Sequence, residues 1–129
     1  MQDKNILIKN WLLKSDEAFE DAKKSINLDM LSTAQSRLYY AIFYAVSSLA
    51  QKNDFATSKH SQLLGWFNRE YVKKQLISAD IAEIYKTTFE FRHKSDYTFT
   101  FKPNKQYLLE DLKKAEEFIK VIKELLQIG

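Results

Sequence analysis

The chain has 129 residues, enough for one domain with a hydrophobic core but too few for two, so we predict a single domain over residues 1–129. Two glycines, one proline and 45% apolar residues are typical of a helical globular protein with short links and argue against disorder. The lack of cysteine excludes disulfides, thiolate metal ligands and a cysteine nucleophile, and a net charge of +3 does not by itself predict a polyanion-binding protein.

The N-terminal sequence lacks the basic, apolar and small-residue order of a signal peptide. The longest nearly apolar run covers residues 38–50 and is interrupted by Ser47 and Ser48. It is shorter than the roughly 20 residues that a membrane-spanning helix needs. We therefore expect a cytoplasmic protein without a membrane span.

The first predicted helix begins between Asp3 and Asn5 and ends near Asn27. Asn27 and Asp29 are expected to form the turn into an antiparallel second helix, and Asp29 or Ser32 can cap that helix, because a short side-chain acceptor satisfies an orphan amide. The inward candidates of the first helix are Ile6, Trp11, Leu13, Ala18, Ala22 and Ile26.

The second predicted helix contains residues 36–50, which are apolar around nearly the whole circumference and therefore predict a buried central helix. One stripe is polar, with Arg37, Tyr40, Tyr44 and Ser47 at steps of three and four residues. Either the hydroxyls satisfy carbonyls in the core while Arg37 extends to solvent, or the stripe is a groove wall where Arg37 and Tyr40 bind an anion or a partner carboxylate.

A third helix is predicted from Ser61 to Lys74, with Thr57 or Ser58 as its cap and His60 in its first turn. Histidine at a helix start is commonly a surface residue. A functional role for His60 requires a partner side chain from another helix.

The fourth predicted helix follows a capped turn at residues 77–80 and runs from Ile81 to about Asp96. Residues 98–104 alternate β-branched and aromatic side chains but have no second strand to pair with, so we expect them to be extended and irregular. A fifth helix covers residues 105–126. Five helices with short links predict an all-α, antiparallel, up-and-down bundle. Two histidines are too sparse for a zinc site, and no metal or other cofactor is predicted.

Three blocks of sequence identify a family resemblance: SRLYYAIFYAVSSL at 36–49, KHSQLLGWFNREYVK at 59–73 and FEFRHKSDYTF at 89–99. With their order and spacing, the chain resembles the small stand-alone bacterial and archaeal members of the HEPN domain family. The resemblance covers almost the whole chain. It implies a helical bundle that commonly dimerises and that is often paired with a small nucleotidyltransferase antitoxin.

The resemblance also implies a chemistry, because many HEPN domains are metal-independent ribonucleases with an Arg, four to six intervening residues and a His. Arg92 matches the arginine of this motif. After four intervening residues, however, the chain has Tyr97, and its histidine is His93, directly after Arg92. Adjacent residues of a helix point about 100° apart, so Arg92 and His93 cannot easily serve one phosphate from a single chain.

Cleavage of RNA without a metal needs a base, an acid and a cation for the charged phosphorane. Arg92 is the candidate cation, and His93 or His60 could be the base if a dimer brought one of them beside it. Tyr97 can only donate a hydrogen bond or a proton, since a phenol with a pKa of about 10 is a poor base at neutral pH. Asp96 either forms an intrahelical ion pair with Arg92 or joins it at a groove beside the polar stripe.

The sequence therefore supports two candidate functions. One is an RNA-directed HEPN protein, either a ribonuclease toxin or a degenerate relative. The other is a non-catalytic partner module of a nucleotidyltransferase in a toxin-antitoxin-like system, which the altered motif favours, and it predicts weak or no RNA cleavage. Nine Phe, seven Tyr and two Trp are more than a bundle of this size easily buries, so a homodimer is also expected.

Overall fold

Helices account for almost all of the fold. The computed structural model describes residues 2–97 and 102–127, with side chains for residues 3–92 and 102–127. The helices are α1 (Gln2–Asn27), α2 (Leu31–Lys52), α3 (His60–Phe67), α4 (Ala79–Tyr97) and α5 (Lys105–Leu125). The described residues contain no strand, so the predicted all-α class is confirmed. The part of the predicted extended segment at residues 98–101 lies outside the described residues.

Helix α2 is the centre of the bundle, as its sequence predicts. It packs against α1, α3, α4 and α5. Its fully buried side chains include Leu38, Tyr39, Ile42, Val46 and Leu49. Burial of this apolar surface is the main favourable contribution of α2 to folding, at roughly 25 cal/mol per Å².

Helix α1 runs antiparallel to α2. Lys4, near the start of α1, forms an ion pair of 3.0 Å with Asp54, just after the end of α2. Halfway along, the hydroxyl of Ser15 donates to the main-chain carbonyl of Ala41 over 2.6 Å. Small buried side chains allow this close approach of the two backbones: Ala18, Ala22, Ala34, Ala41 and Ala45.

Helix α5 runs in the same direction as α2. Lys105 at its start forms an ion pair of 2.8 Å with Asp29, just before α2 begins. At the other end, the Lys52 ammonium donates to the carbonyl of Leu125 over 3.3 Å. These contacts fix the direction of α5 relative to α2 within the bundle. None of the helices in the described part of the chain is long and apolar enough to cross a bilayer.

The rotation of α1 differs from the prediction over the first half of the helix, whereas Ala18, Ala22 and Ile26 in the second half are buried as predicted. Ile6 and Leu13 were predicted to point inward, but they are 55% and 59% exposed. Ile8 and Ser15 are buried instead. The buried face of this half of α1 contains Ser15, whose hydroxyl donates to a carbonyl of α2. Hydrophobicity alone therefore predicts the wrong buried face for this half of the helix. Leu109 of α5 is also exposed.

The predicted cap of α2 is wrong. Met30 occupies the N-cap position and makes no side-chain cap, while Ser32 lies inside the helix. Asp29 has a φ of 56°, and it ends α1 in a left-handed turn in which the amide of Met30 donates to the carbonyl of Ser25 over 2.8 Å. This arrangement satisfies carbonyls of α1. The carboxylate of Asp29 pairs with Lys105 and does not cap α2.

Helix α3 begins at His60, one residue before the predicted Ser61. Its N-cap differs from the predicted one by one or two residues. Lys59 is at the N-cap position rather than Thr57 or Ser58. The hydroxyl of Thr57 still accepts a hydrogen bond from the amide of Lys59, over 3.1 Å. A π-helical turn, Asn68–Val72, follows α3 where a continuous α-helix was predicted.

The homodimer was predicted from an excess of aromatic residues, and the structure does not support that argument. Tyr107 is the only clearly exposed aromatic residue among the described side chains. The other large exposed apolar side chains are aliphatic: Ile6, Leu7, Leu13, Leu28, Met30, Leu76 and Leu109. The homodimer stays a prediction, and sedimentation velocity would contradict it by showing a monomer.

Asp111 is expected to destabilise the fold at neutral pH. Its side chain is only 8% exposed, and no described residue donates a hydrogen bond to its carboxylate. Burial raises the pKa of Asp111, although Lys114 opposes this. Because the folded pKa exceeds the unfolded one, folding stability falls as the pH rises from the unfolded value through the folded value. We expect Asp111→Asn to raise the free energy of unfolding at neutral pH.

The measurement is urea unfolding of both proteins across a series of pH values. The gain from Asp111→Asn should shrink as the pH falls towards the ordinary carboxyl pKa of about 4. Asp16→Asn is a matched control, since Asp16 is half-exposed and its pair with Lys123 should contribute no more than about 1 kcal/mol. A gain that does not depend on pH would contradict the argument.

Candidate functional site

Arg92 lies near the end of α4 and contacts two tyrosines of α2. Its Nη2 donates to the hydroxyl of Tyr40 over 3.1 Å. Its Cζ is 5.3 Å from the ring centroid of Tyr39 and 5.2 Å from that of Tyr40. Such cation–π contacts hold a guanidinium in place. Arg92 is half-buried rather than fully exposed.

The ring of Tyr40 also contacts a second guanidinium, that of Arg37. The Cζ of Arg37 is 5.1 Å from its ring centroid, so cations from α2 and α4 contact the same ring. The hydroxyl of Ser47, by contrast, donates to the carbonyl of Phe43 within α2 over 2.8 Å and is nearly buried. The polar stripe therefore divides: Ser47 satisfies a core carbonyl, whereas Arg37 and Tyr40 belong to a cationic cluster.

His60, the first residue of α3, joins this cluster. Its Nδ1 is 2.8 Å from the hydroxyl of Tyr39, which is the partner from another helix that a functional role requires. Its ring stacks on Phe43 with centroids 4.2 Å apart and an interplanar angle of 20°. Two contacts from α2 thus set the position and the rotation of the imidazole, which remains half-buried.

The surroundings of His60 favour its neutral form. Burial lowers the pKa of His60, and the positive charge of Arg92 lowers it further. A neutral imidazole at neutral pH can accept a proton, which is the property that a general base needs. In the tautomer in which Nδ1–H donates to Tyr39, the lone pair is on Nε2.

Sequence reasoning missed two residues that contact His60, Phe43 and Tyr39, and Tyr39 is the one that lies within hydrogen-bond distance of its ring. It was predicted only as a core residue, and it is indeed fully buried. Burial raises the pKa of Tyr39 in spite of the nearby Arg92, so its hydroxyl stays protonated and acts only as a hydrogen-bond partner. The polar stripe indicates Tyr40, but no sequence signal indicates a role for Tyr39 in the site, because that role depends on where α3 starts in space.

Three predicted site residues follow Arg92 on α4. The backbone of His93, Asp96 and Tyr97 is helical, but their side chains lie outside the described residues. The Arg92–Asp96 ion pair and the roles of His93 and Tyr97 therefore stay predictions. The described cluster thus consists of Arg37, Tyr39, Tyr40, Phe43, His60 and Arg92, which we call the Arg92 cluster.

The Arg92 cluster combines two fixed positive charges, a neutral imidazole and phenolic hydroxyls. Arg37, Tyr40, His60 and Arg92 are all half-buried, so each has surface that a ligand can reach. Such a set can bind anionic oxygens and accept a proton beside them. Within residues 3–92 and 102–127, no three His, Asp or Glu side chains lie close enough together to bind one metal ion.

Comparison with known proteins concerns the whole chain rather than this site. The HEPN domain model matches residues 8–126. A UPF0332 protein of Thermotoga maritima is 33% identical over 127 residues, which cover 98% of this chain and 96% of the relative. "Putative toxin MJ0142" of Methanocaldococcus jannaschii is 26% identical over 88% of this chain and 77% of its own length. A UPF0332 protein of Archaeoglobus fulgidus is 29% identical over 85% of this chain and 87% of its own length.

Proposed function

Because the chain belongs to the HEPN domain family, we propose that it is an RNA-directed protein of the toxin type, in which the Arg92 cluster binds a phosphodiester of single-stranded RNA and cleaves it. The observation that carries this proposal is the hydrogen bond between His60 and Tyr39, whose ring lies beside Arg92. It places a histidine in the same cluster as the motif arginine, although the motif histidine itself is replaced by Tyr97.

In the proposed reaction, Arg92 and Arg37 bind the non-bridging phosphate oxygens and stabilise the charge of the phosphorane. His60 Nε2 removes the proton of the 2′-hydroxyl while Nδ1–H donates to Tyr39. The 2′-oxygen then forms a bond to phosphorus, the bond from phosphorus to the 5′-oxygen breaks, and that oxygen takes a proton from water. The hydroxide left by the water takes the proton held by His60 Nε2, which restores the neutral imidazole. The products are a 2′,3′-cyclic phosphate and a free 5′-hydroxyl.

The names of relatives support the toxin type. Two proteins of Methanocaldococcus jannaschii that match this chain, at 26% and 27% identity, are named "Putative toxin MJ0142" and "Putative toxin MJ0605". A toxin that acts on RNA is consistent with a cationic cluster containing a neutral histidine. A cytoplasmic location, where such a target would be found, belongs to the same proposal.

The second candidate function is a non-catalytic partner module of a nucleotidyltransferase. Tyr97 at the position of the motif histidine favours it, since a phenol cannot replace the lost base. In this case the Arg92 cluster binds RNA or an anionic partner without cleaving it. The position of His60 supports cleavage, which is why the ribonuclease is our first choice in spite of the altered motif.

The test is to incubate the purified protein with single-stranded RNA in EDTA. We expect cleavage that leaves cyclic phosphate ends, because the proposed reaction uses only side chains of the chain. The double variant Arg92→Ala/His60→Gln, prepared in the same way, is the control for contaminating ribonuclease. Equal cleavage by both proteins would contradict the proposal, and RNA binding without cleavage would favour the second candidate.

A further inference from the structure

A cavity of about 450 Å³ lies between α4 and α5, and none of its lining residues belongs to the Arg92 cluster. It is lined by carboxylates from both helices and by two isoleucines of α4: Asp80, Glu83, Asp111, Glu117, Ile81 and Ile84. Ile84 is buried and Ile81 is half-buried, and on α4 each isoleucine is close in sequence to a carboxylate. The cavity thus combines negative charge with apolar surface.

Asp111 is the buried acidic group of this cavity. Only 8% of the residue is exposed, and no hydrogen-bond donor among the described residues reaches its carboxylate. Burial raises the pKa of Asp111, because its charged form has lost hydration without gaining an equivalent partner. Lys114 also lines the cavity and opposes this shift, but it forms no ion pair with Asp111. The carboxylate of Asp111 is therefore open to a cation that enters the cavity.

Three further carboxylates surround the opening of the cavity. Asp80, Glu83 and Glu117 are exposed, and none of them forms an ion pair with a lysine or arginine in residues 3–92 and 102–127. With Asp111 there are four carboxylates, and Lys114 is the one cation among the described lining residues, so the lining has a net charge of −3. A ligand with several positive charges would complement this lining.

The carboxylates are too widely spaced for a single metal ion. Asp111 and Glu117 are separated by a rise of about 9 Å along α5, at 1.5 Å per residue. In the described part of the chain, no three His, Asp or Glu side chains lie close enough together to bind one metal ion. The spacing instead suits an extended cation, whose charges are separated by apolar segments that can pack on Ile81 and Ile84.

We propose that the cavity between α4 and α5 binds a linear aliphatic polyamine. One ammonium donates hydrogen bonds to the buried carboxylate of Asp111, the methylenes pack on Ile81 and Ile84, and a second ammonium pairs with Glu117 or Asp80 at the opening. A lysine of a partner protein is a poorer occupant, because its single ammonium leaves most of the negative charge uncompensated. This inference does not depend on the proposed function, since it involves no residue of the Arg92 cluster.

The test is titration calorimetry of the full chain with spermidine, a triamine, at about 0.15 M salt, where exposed charges are screened beyond about 8 Å. We expect one site per chain. Asp111→Asn keeps the shape of the side chain and should lower the affinity about tenfold to hundredfold, because a hydrogen bond to a charged group is lost. This variant is expected to be at least as stable as the wild type, so its loss of binding would not be a loss of folding.

Glu116→Gln is the matched control. Glu116 is an exposed carboxylate of the same helix that lines a different cavity, between α1 and α5. Its replacement removes the same net charge as Asp111→Asn and should leave spermidine affinity nearly unchanged. Glu117→Gln should weaken binding less than Asp111→Asn does, because Glu117 is exposed and its pair with an ammonium is screened.

Two further probes identify the kind of cation, and thermal melting gives a second readout. Spermidine should raise the melting temperature of the wild type more than that of Asp111→Asn, since a ligand of the folded state stabilises it by mass action. N-acetyl-lysine amide, with a single ammonium, and Mg²⁺ should both bind far more weakly than spermidine.

Four results would overturn the proposal. The first is that spermidine does not bind to the wild type. The second is equal weakening by Asp111→Asn and Glu116→Gln, or none by either, which would show attraction to the net charge of the chain alone. The third is that N-acetyl-lysine amide binds as tightly as spermidine, which would identify a site for a single ammonium such as a partner's lysine. The fourth is displacement of spermidine by an equal concentration of Mg²⁺.

Discussion

Replacement of His60 by Gln is expected to lower the rate of RNA cleavage by about 10²–10⁴-fold, the usual effect of losing a well-placed general base. Glutamine can keep a hydrogen bond to Tyr39 and part of the contact with Phe43, but it cannot accept a proton at neutral pH. RNA binding should change far less, because the guanidiniums of Arg37 and Arg92 remain. Single-turnover cleavage and equilibrium binding, measured on the same preparation, separate the two effects.

The pH profile gives an independent test of the same residue. The rate should fall on acidification as His60 becomes protonated, with a midpoint below the ordinary histidine pKa of about 6.5, because burial and Arg92 disfavour the cation. His93→Gln is the matched control and should leave both the rate and the midpoint nearly unchanged. Loss of cleavage in His93→Gln but not in His60→Gln would instead identify His93 as the base.

Replacement of Arg92 by Ala should have a large effect on function and a small one on stability. Loss of the cation that stabilises the phosphorane is expected to lower the cleavage rate by about 10²–10³-fold, as for other oxyanion-stabilising donors. The contacts with the rings of Tyr39 and Tyr40 stabilise the fold by only about 0.5–2 kcal/mol, since Arg92 is half-buried. Cleavage kinetics and urea unfolding of the same variant measure the two effects.

Two controls sharpen this result. Arg69→Ala removes an exposed arginine paired with Glu70 and should leave cleavage unchanged. Arg92→Lys keeps a positive charge but loses the planar fork that can bind two phosphate oxygens, so it should recover only part of the activity. A destabilisation of several kcal/mol by Arg92→Ala would show that Arg92 is a structural residue and that the site is misplaced.

The sequence was sufficient to predict the elements of this fold because its periodic signals are local. Residues 36–50 are apolar on nearly every side, and α2 is buried between its neighbours as that pattern predicts. Helix limits were correct within a few residues, since the pattern of apolar residues changes at each link, except that α3 ends at Phe67 and a π-helical turn follows where an α-helix to Lys74 was predicted. Local patterns do not specify how far a helix turns about its axis, and so Ile6 and Leu13 were predicted to be buried although they are exposed.

The candidate site likewise has some features that the sequence predicts and others that depend on the tertiary structure. The sequence by itself determined the all-α class, the position of Arg92 near the end of α4 and the polar stripe of α2, because each depends on residues within one helix. Only the tertiary structure decided that Arg92 contacts Tyr40 and that His60 pairs with Tyr39. Those partners are 52 and 21 residues apart, and their distances depend on how α3 and α4 pack against α2. Helix packing is set by the fit of many side chains at once, which no short segment of the sequence encodes.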